Sequence, residues 1–143
     1  MPVYTYDPTE VVLTVGGVPL SGFTDGAFIK VSRDEDAYMK AVGADGQVSR
    51  AKNANKSGSI TITLKQTSPA NDVLSGYALA DEVGNAGLVP VLIKDLLGTT
   101  LVSSSGAWVK KVSDTEMGKE ISDREWVLDC ESINMVVGGN SIS

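Results

Sequence analysis

Residues 57–72 read SGSITITLKQTSPAND, and the pattern changes halfway along them. Ile60, Ile62 and Leu64 alternate with Thr61, Thr63 and Lys65. That period of two places three aliphatic side chains on one face of a strand and polar ones on the other. Ser68 then offers a hydroxyl able to accept from an orphan N–H of a helix's first turn. Pro69 follows at the first helical position, where its missing N–H costs nothing. Asp72 sets negative charge near the positive end of the helix dipole. Val73, Leu74, Tyr77, Ala80 and Val83 recur at helical spacing, and Gly84 supplies a stop. The stretch predicts a sheet strand running into the one clear helix, at about 69–83, with strands on both sides.

Upstream, residues 1–8 form a polar, Pro-flanked arm of the kind that orders on a partner. EVVLTV (10–15) reads as a strand, Gly16-Gly17 as a hairpin turn and residues 18–20 as its return. Thr24-Asp25-Gly26 is a second turn, and AFIKVSR (27–33) alternates with Ile29 and Val31 on one face. The acidic knot Asp34-Glu35-Asp36 follows, then AYMKAV (37–42), whose pattern fits a strand only loosely. GADGQVSRAKNANKS (43–57) is a long polar segment made locally basic by Arg50, Lys52 and Lys56. Asp45-Gly46 is a tight-turn pair, so this segment reads as an extended loop or hairpin arm. Ordered loops of that length in small domains are usually functional.

Downstream, LVPVLIKD (88–95) is a strand that Pro90 assigns to an edge or a strand start. Residues 100–103 and 107–113 read as two strands separated by a Ser-Gly turn at 104–106. DTEMGKEISD (114–123) is a mixed-charge hairpin end. REWVLDCESINMVV (124–137) reads as one long strand. Trp126, Leu128 and Cys130 share one of its faces; Val127, Asp129, Glu131 and Ile133 share the other. Residues 138–143 are a polar tail. The sum is roughly eight to ten short strands and one helix. This predicts a single mainly β domain over 1–143, a β-sandwich or partly closed barrel with one flanking helix.

Composition narrows the function. A chain of 143 residues suits one domain and needs no covalent staple. A formal charge of −6 is poorly suited to gripping nucleic acid or an anionic membrane. One cysteine, Cys130, allows no intramolecular disulfide and reads as a small buried apolar residue. MPVYTYDPTE has neither a basic region nor an apolar core, so no secretory signal is expected, and synthesis and folding are expected in a cytoplasm. No apolar run approaches the ~18 residues of a membrane span. In that setting Asn55-Lys56-Ser57 is a chance match to the glycosylation pattern.

The absence of histidine removes the commonest general base, the commonest metal ligand and every Ser-His or Cys-His pair. One cysteine builds no thiolate zinc site. A calcium loop starting at Asp34 needs glycine at its sixth position and finds Met39. Asp81 with Glu82, and Asp129 with Glu131, have no partner that marks an acid–base couple, and no phosphate-binding glycine motif occurs. Asp81 and Glu82 fall at the helix C-terminus, where the dipole disfavours them; solvent or a neighbouring chain's cation would answer that. Trp108 and Trp126 read as core or interface anchors. No enzyme activity and no cofactor are expected, and residue chemistry alone leads to a structural or binding protein.

The order GADG (43–46), SRA (49–51) and SGSITITLKQTSPANDVLS (57–75) resembles the tail tube proteins of contractile-tailed bacteriophages, the family often called phage structural protein. These motifs cover about a quarter of the chain. The resemblance implies the fold shared by phage tail tubes and type VI secretion tubes. It also implies six-fold rings, stacked into a hollow tube and closed by edge-to-edge strand pairing. Its implied partners are further copies of itself, a sheath outside, tape measure protein and DNA in the lumen, and baseplate and terminator proteins at the ends. Its implied place is the virion tail, assembled in the host cytoplasm. The arm would reach the next ring through Asp45, Gly46, Arg50, Lys52 and Lys56, its cations meeting Asp34, Glu35 and Asp36 there. An acidic lumen would let DNA slide, unless Lys110 and Lys111 point inward. The competing readings are another tail component (sheath, baseplate or terminator), the tube of a tail-like particle, a monomeric small-ligand barrel and, last, an enzyme.

Overall fold

The alternation at Gly58–Lys65 does form a strand: Gly58, Ile60, Ile62 and Leu64 are buried, and the residues between them are not. A computed structural model describes residues 3–140. The outermost residues of the expected arm and tail, 1–2 and 141–143, lie outside the described residues. The described chain holds β1 (Val11–Val15), β2 (Val18–Pro19), β3 (Ile29–Arg33), β4 (Tyr38–Val42), β5 (Val48–Lys52) and β6 (Gly58–Lys65). Helix α1 (Ala70–Gly84) follows, then β7 (Val89–Asp95), β8 (Leu101–Lys111), β9 (Asp123–Cys130) and β10 (Asn134–Val136).

Eight strands form one antiparallel sheet in the order β2-β1-β7-β8-β9-β6-β3, with β10 beside the first part of β8. β4 and β5 pair only with each other. The fold is mainly β with one helix, and the sheet is large and open rather than closed into a barrel. It curls instead: Ile29 and Val31 of β3 line the same cleft as Val11 of β1 and Ile93 of β7. The core lies inside this curl and under the helix. Leu13, Val15, Ile60, Ile62, Leu64, Leu74, Leu128 and Ile133 are all essentially without solvent contact.

Strand β6 meets α1 in a joint whose polar groups are matched. The Ser68 hydroxyl accepts from the Ala70 N–H at 3.2 Å and donates to the Ser21 carbonyl. Asn71 Nδ2 donates to the Lys65 and Ser68 carbonyls, both at 3.0 Å, while its Oδ1 accepts from Trp126 Nε1 at 2.9 Å. Gln66 Oε1 accepts from the Ser122 N–H and hydroxyl. Gly22, at φ +79°, lies against Ser68, where a Cβ would fall 2.6 Å from the serine Cβ. The helix buries Ala70, Leu74 and Ala78, four residues apart, with Val73 and Tyr77 at the margin. Val83, expected on that face, is exposed, because at 3.6 residues per turn it lies about 180° around the helix from Leu74. The helix ends on Asn85 rather than Gly84: Asn85 takes the left-handed conformation (φ 55°), which a short polar side chain tolerates.

Three strand expectations change. Residues 101–111 form a single strand, and the Ser-Gly signal at 104–106 marks a bulge: β8 advances three residues, Ser104 to Ala107, while β7 advances two, Val91 to Val89. Pro90 sits at that same break, so β7 carries a proline while lying inside the sheet. The expected long strand at 124–137 is interrupted at Glu131–Ile133, where the Glu131 N–H donates to the Gly106 carbonyl. The interruption shifts the alternation, and Ile133 turns into the core instead of sharing a face with Asp129.

Candidate interaction surface

The hairpin of β4 and β5 stands apart from the sheet. Its turn is built by Asp45, whose carboxylate accepts from the Gln47 N–H at 3.1 Å, and by Gly46 at φ +85°. The Gly43 N–H donates to the Gln47 carbonyl and the Gly46 N–H to the Gly43 carbonyl, which closes the tip. The hairpin runs from Tyr38 to Lys52, whereas the polar segment in the sequence runs from 43 to 57. All ten strand residues are exposed. An isolated two-stranded hairpin is marginal in water, so this one depends on its root.

The acidic knot makes that root. Asn53 and Asn55 each accept, through their side-chain oxygens, from the N–H two residues on, at 2.9 and 3.0 Å. Their amide nitrogens donate to the same Glu35 oxygen at 3.2 and 2.6 Å. These bonds, that from Asn55 first, hold the Glu35 carboxyl below the ordinary glutamate range. Ser57 Oγ donates to Asp34 Oδ2 at 3.1 Å, and the Asp34 N–H donates to the Ser57 carbonyl. Arg33 donates to the Ile133 carbonyl at 2.8 Å and ties the root to the β9–β10 link. At Gly58 a Cβ would fall 2.3 Å from the Ser32 carbonyl oxygen, so only glycine passes there. Asp34 and Glu35 are thus bound within their own chain. Asp36 is exposed, as is Lys56, whose backbone carbonyl accepts from the Ile133 N–H.

Register gives the hairpin two unlike faces. Tyr38 with Lys52, Lys40 with Arg50, and Val42 with Val48 are Cα partners on one face. Met39 with Ala51 and Ala41 with Ser49 occupy the other, which is uncharged. The guanidinium of Arg50 lies 4.4 Å from the centre of the Tyr38 ring, on the diagonal across the strands. Among the described residues the ion pairs are Lys65–Asp25 at 4.0 Å and Lys111–Asp114 at 3.3 Å, so the hairpin cations have none. Lys40 and Tyr38 were not legible as site residues; only pairing register reveals that they stand beside Arg50 and Lys52.

The cleft inside the curl is a second exposed feature, with a volume of about 590 Å³. Val11, Ile29, Val31, Ile93 and Val102 give it an apolar lining, and Asp25 and Asp95 are its charged members. Elsewhere, Trp126 is buried, while Trp108 is half-exposed on the sheet's other face. Cys130 is buried, and desolvation pushes its thiol up, away from the reactive thiolate. Asp81 Oδ1 accepts from the Gly87 N–H at 3.1 Å, which gives that residue a role within the chain.

Comparison with known proteins places this fold among a recognisable set. The model of the family described as bacteriophage PhiTE tail tube protein matches residues 5–138. Structural protein ORF10 of Pseudomonas phage KPP10 is 31% identical over 144 residues, covering 95% of this chain and 83% of that protein. Among solved structures, the tube-terminating cap of the anti-feeding prophage superposes with a TM-score of 0.66 at 12% identity, covering 96% of this chain and 94% of the other. A chain of the extended sheath–tube complex of the extracellular contractile injection system PVC gives 0.62 at 15%, covering 94% and 93%. A chain of the sheath/tube terminator structure of that system gives 0.62 at 15%, covering 94% and 99%.

Proposed function

The chain belongs to the bacteriophage PhiTE tail tube protein family, a structural component of phage tails, and from that premise we propose that it forms stacked hexameric rings making a tail's inner tube. The family match across nearly the whole chain carries this reading. In it, the open sheet edges at β2 and β3 pair with neighbours around a ring, a head-to-tail contact that closes by rotation. The lumen conducts DNA and holds the tape measure protein, the sheath lies outside, and baseplate and terminator proteins sit at the ends. The role is mechanical, with no reaction to catalyse. Assembly takes place in the host cytoplasm and the product is a virion tail.

The 38–52 hairpin is the contact between rings in this reading, with its Arg50 and Lys52, and Lys56 just beyond it in the root, facing carboxylates of the next copy. Of the acidic knot, Asp36 is the member left free to receive them, since Asp34 and Glu35 hold the root. Electron microscopy and sedimentation of the purified protein, alone and with a tail-initiating complex, test the proposal. Hollow tubes with six-fold end views are expected; a monomer under both conditions overturns it. The likeness to a tube cap and to a terminator structure supports a second reading, a ring that ends a tube. Rings that form and do not stack would favour it.

A further inference from the structure

We infer that Asp25-Gly26 is a modification site, at which the folded chain converts aspartate to isoaspartate without an enzyme, and that the fold protects the other Asp-Gly pair, Asp45-Gly46. This concerns the folded chain itself and does not rest on the tube reading. The chemistry is intramolecular. The Gly26 nitrogen bonds to Asp25 Cγ, its proton and one carboxyl OH leave as water, and a succinimide ring closes. A water molecule then opens the ring at the Asp25 main-chain carbonyl, breaking the bond from that carbon to the Gly26 nitrogen. The chain now runs through Cγ, one methylene longer, with the α-carboxylate as the side group. One water is lost and one regained, and nothing is oxidised. Glycine after the aspartate favours the ring, because no Cβ crowds the attacking nitrogen or restricts its backbone. The chain holds two such pairs, so the sequence does not choose between them.

The structure separates them by two requirements: a backbone N–H without an acceptor, and a carboxyl group free to swing onto that nitrogen. At the first pair both are met. The Asp25 side chain is fully exposed, with Lys65 Nζ no nearer than 4.0 Å. Nothing among the described residues accepts from the Gly26 N–H. A Cβ at Gly26 would meet no atom within 4 Å. The chain on either side is nonetheless fixed. The Thr24 N–H donates to the Thr63 carbonyl at 3.3 Å, and the Thr63 N–H donates to the Phe28 carbonyl at 2.9 Å. Residues 24–28 thus form a loop pinned at both ends to one residue of β6. At the second pair both requirements fail. The Gly46 N–H donates to the Gly43 carbonyl at 3.0 Å, and Asp45 Oδ1 accepts from the Gln47 N–H at 3.1 Å. That carboxylate also lies against Gly43, where a Cβ would fall 2.9 Å from it. Both hydrogen bonds must break before Asp45 Cγ reaches the Gly46 nitrogen, which sets the rate there about tenfold below that at Asp25.

The change alters a surface and spares the core. Residues 25–28 line the cleft, and none of residues 24–28 is buried. The added methylene lengthens a loop fixed at both ends, and the carboxylate, now on a shorter arm, draws away from Lys65. The test ages the full-length protein in neutral buffer, folded and in urea, and maps isoaspartate by proteolysis. The probe is a purified isoaspartyl methyltransferase, which moves a labelled methyl group from S-adenosylmethionine to the isoaspartyl carboxylate. In the folded protein, label is expected at residue 25 about tenfold faster than at residue 45. In urea the two rates should agree within about twofold, since the hydrogen bonds of the tip are gone. Asp25→Glu, on a fully exposed side chain, should fold as wild type and lose nearly all the folded-state label, because closure of a ring one carbon larger is slow. Asp45→Glu should keep that label. Equal rates at the two pairs in the folded chain, a faster rate at Asp45, or no label at residue 25 overturns the inference. So does a tenfold ratio that persists in urea, which would assign the difference to neighbouring sequence instead of the fold.

Discussion

In the strand–helix joint, Ile60, Ile62, Leu64 and Leu74 are sealed from solvent, and Ser68, Asn71 and Trp126 satisfy one another's polar groups. In the hairpin just upstream, every strand residue is exposed and its cations have no carboxylate partner in the chain. The two regions divide the work. Stability comes from apolar area removed from water and from buried polar groups that are paired, with Arg33 Nε the exception among the described side chains. A surface that will meet another copy must instead keep its apolar and charged groups uncommitted until contact. In the proposed tube, the chain would carry its assembly energy outside the part that folds it.

The strongest way to break this division is at the joint. Leu74→Ala, at a fully buried position, should cost about 2–5 kcal/mol in denaturant unfolding, while leaving the hairpin's own signals in a spectrum unchanged. Loss of the hairpin together with the core would show that the two are not separate. Next, Asn71→Ala leaves the buried Trp126 Nε1 donor without its acceptor, and should cost about 1–3 kcal/mol. A neutral result would mean that the joint is held by packing alone. Arg50→Glu is the opposite case. Its unfolding free energy should stay within about 0.5 kcal/mol of wild type, because the side chain is exposed. Tube growth should stop; normal tubes from this variant would remove the hairpin's charge from the account.

The smallest effect sharpens the border between the regions. Glu35 accepts both asparagine amides as a carboxylate, and its pKa is depressed. Its contribution to the root is thus present above the ordinary glutamate value and is lost as pH falls through the depressed one. The side-chain amide resonances of Asn53 and Asn55 should stay fixed through the ordinary glutamate range and move below it. Titration at the ordinary value would show that the clasp is not formed in solution.

The joint was legible because its two periods, first of two and then of 3.6, follow each other around a capping serine and a proline. The helix limits expected at 69–83 lie within a residue of those found. The bulge was not legible: Ser104 to Gly106 carries the composition of a turn, and only the pairing of β7 and β8 shows that the strand continues. Ile133 was misplaced for a related reason, since alternation counts residues and fails to see a break. At the hairpin, Asp45-Gly46 marked the tip correctly. Its first strand was read only loosely at 37–42 and outside the arm, because a strand exposed on both sides has no apolar contrast to read. The acidic knot resembled a surface charge run until Asn53 and Asn55, 18 and 20 residues later, supplied its partners.

The narrow root at Arg33, Glu35 and Gly58 also gives the molecule leverage. Five residue pairs at ~3.4 Å each carry the tip roughly 17 Å beyond it. A tilt of a tenth of a radian at the root therefore swings the tip by about 1.7 Å, half a residue's rise along a strand. In the proposed tube, copies joined by such levers would share a bend among many small rotations, so the assembly would flex along its length instead of parting at one seam.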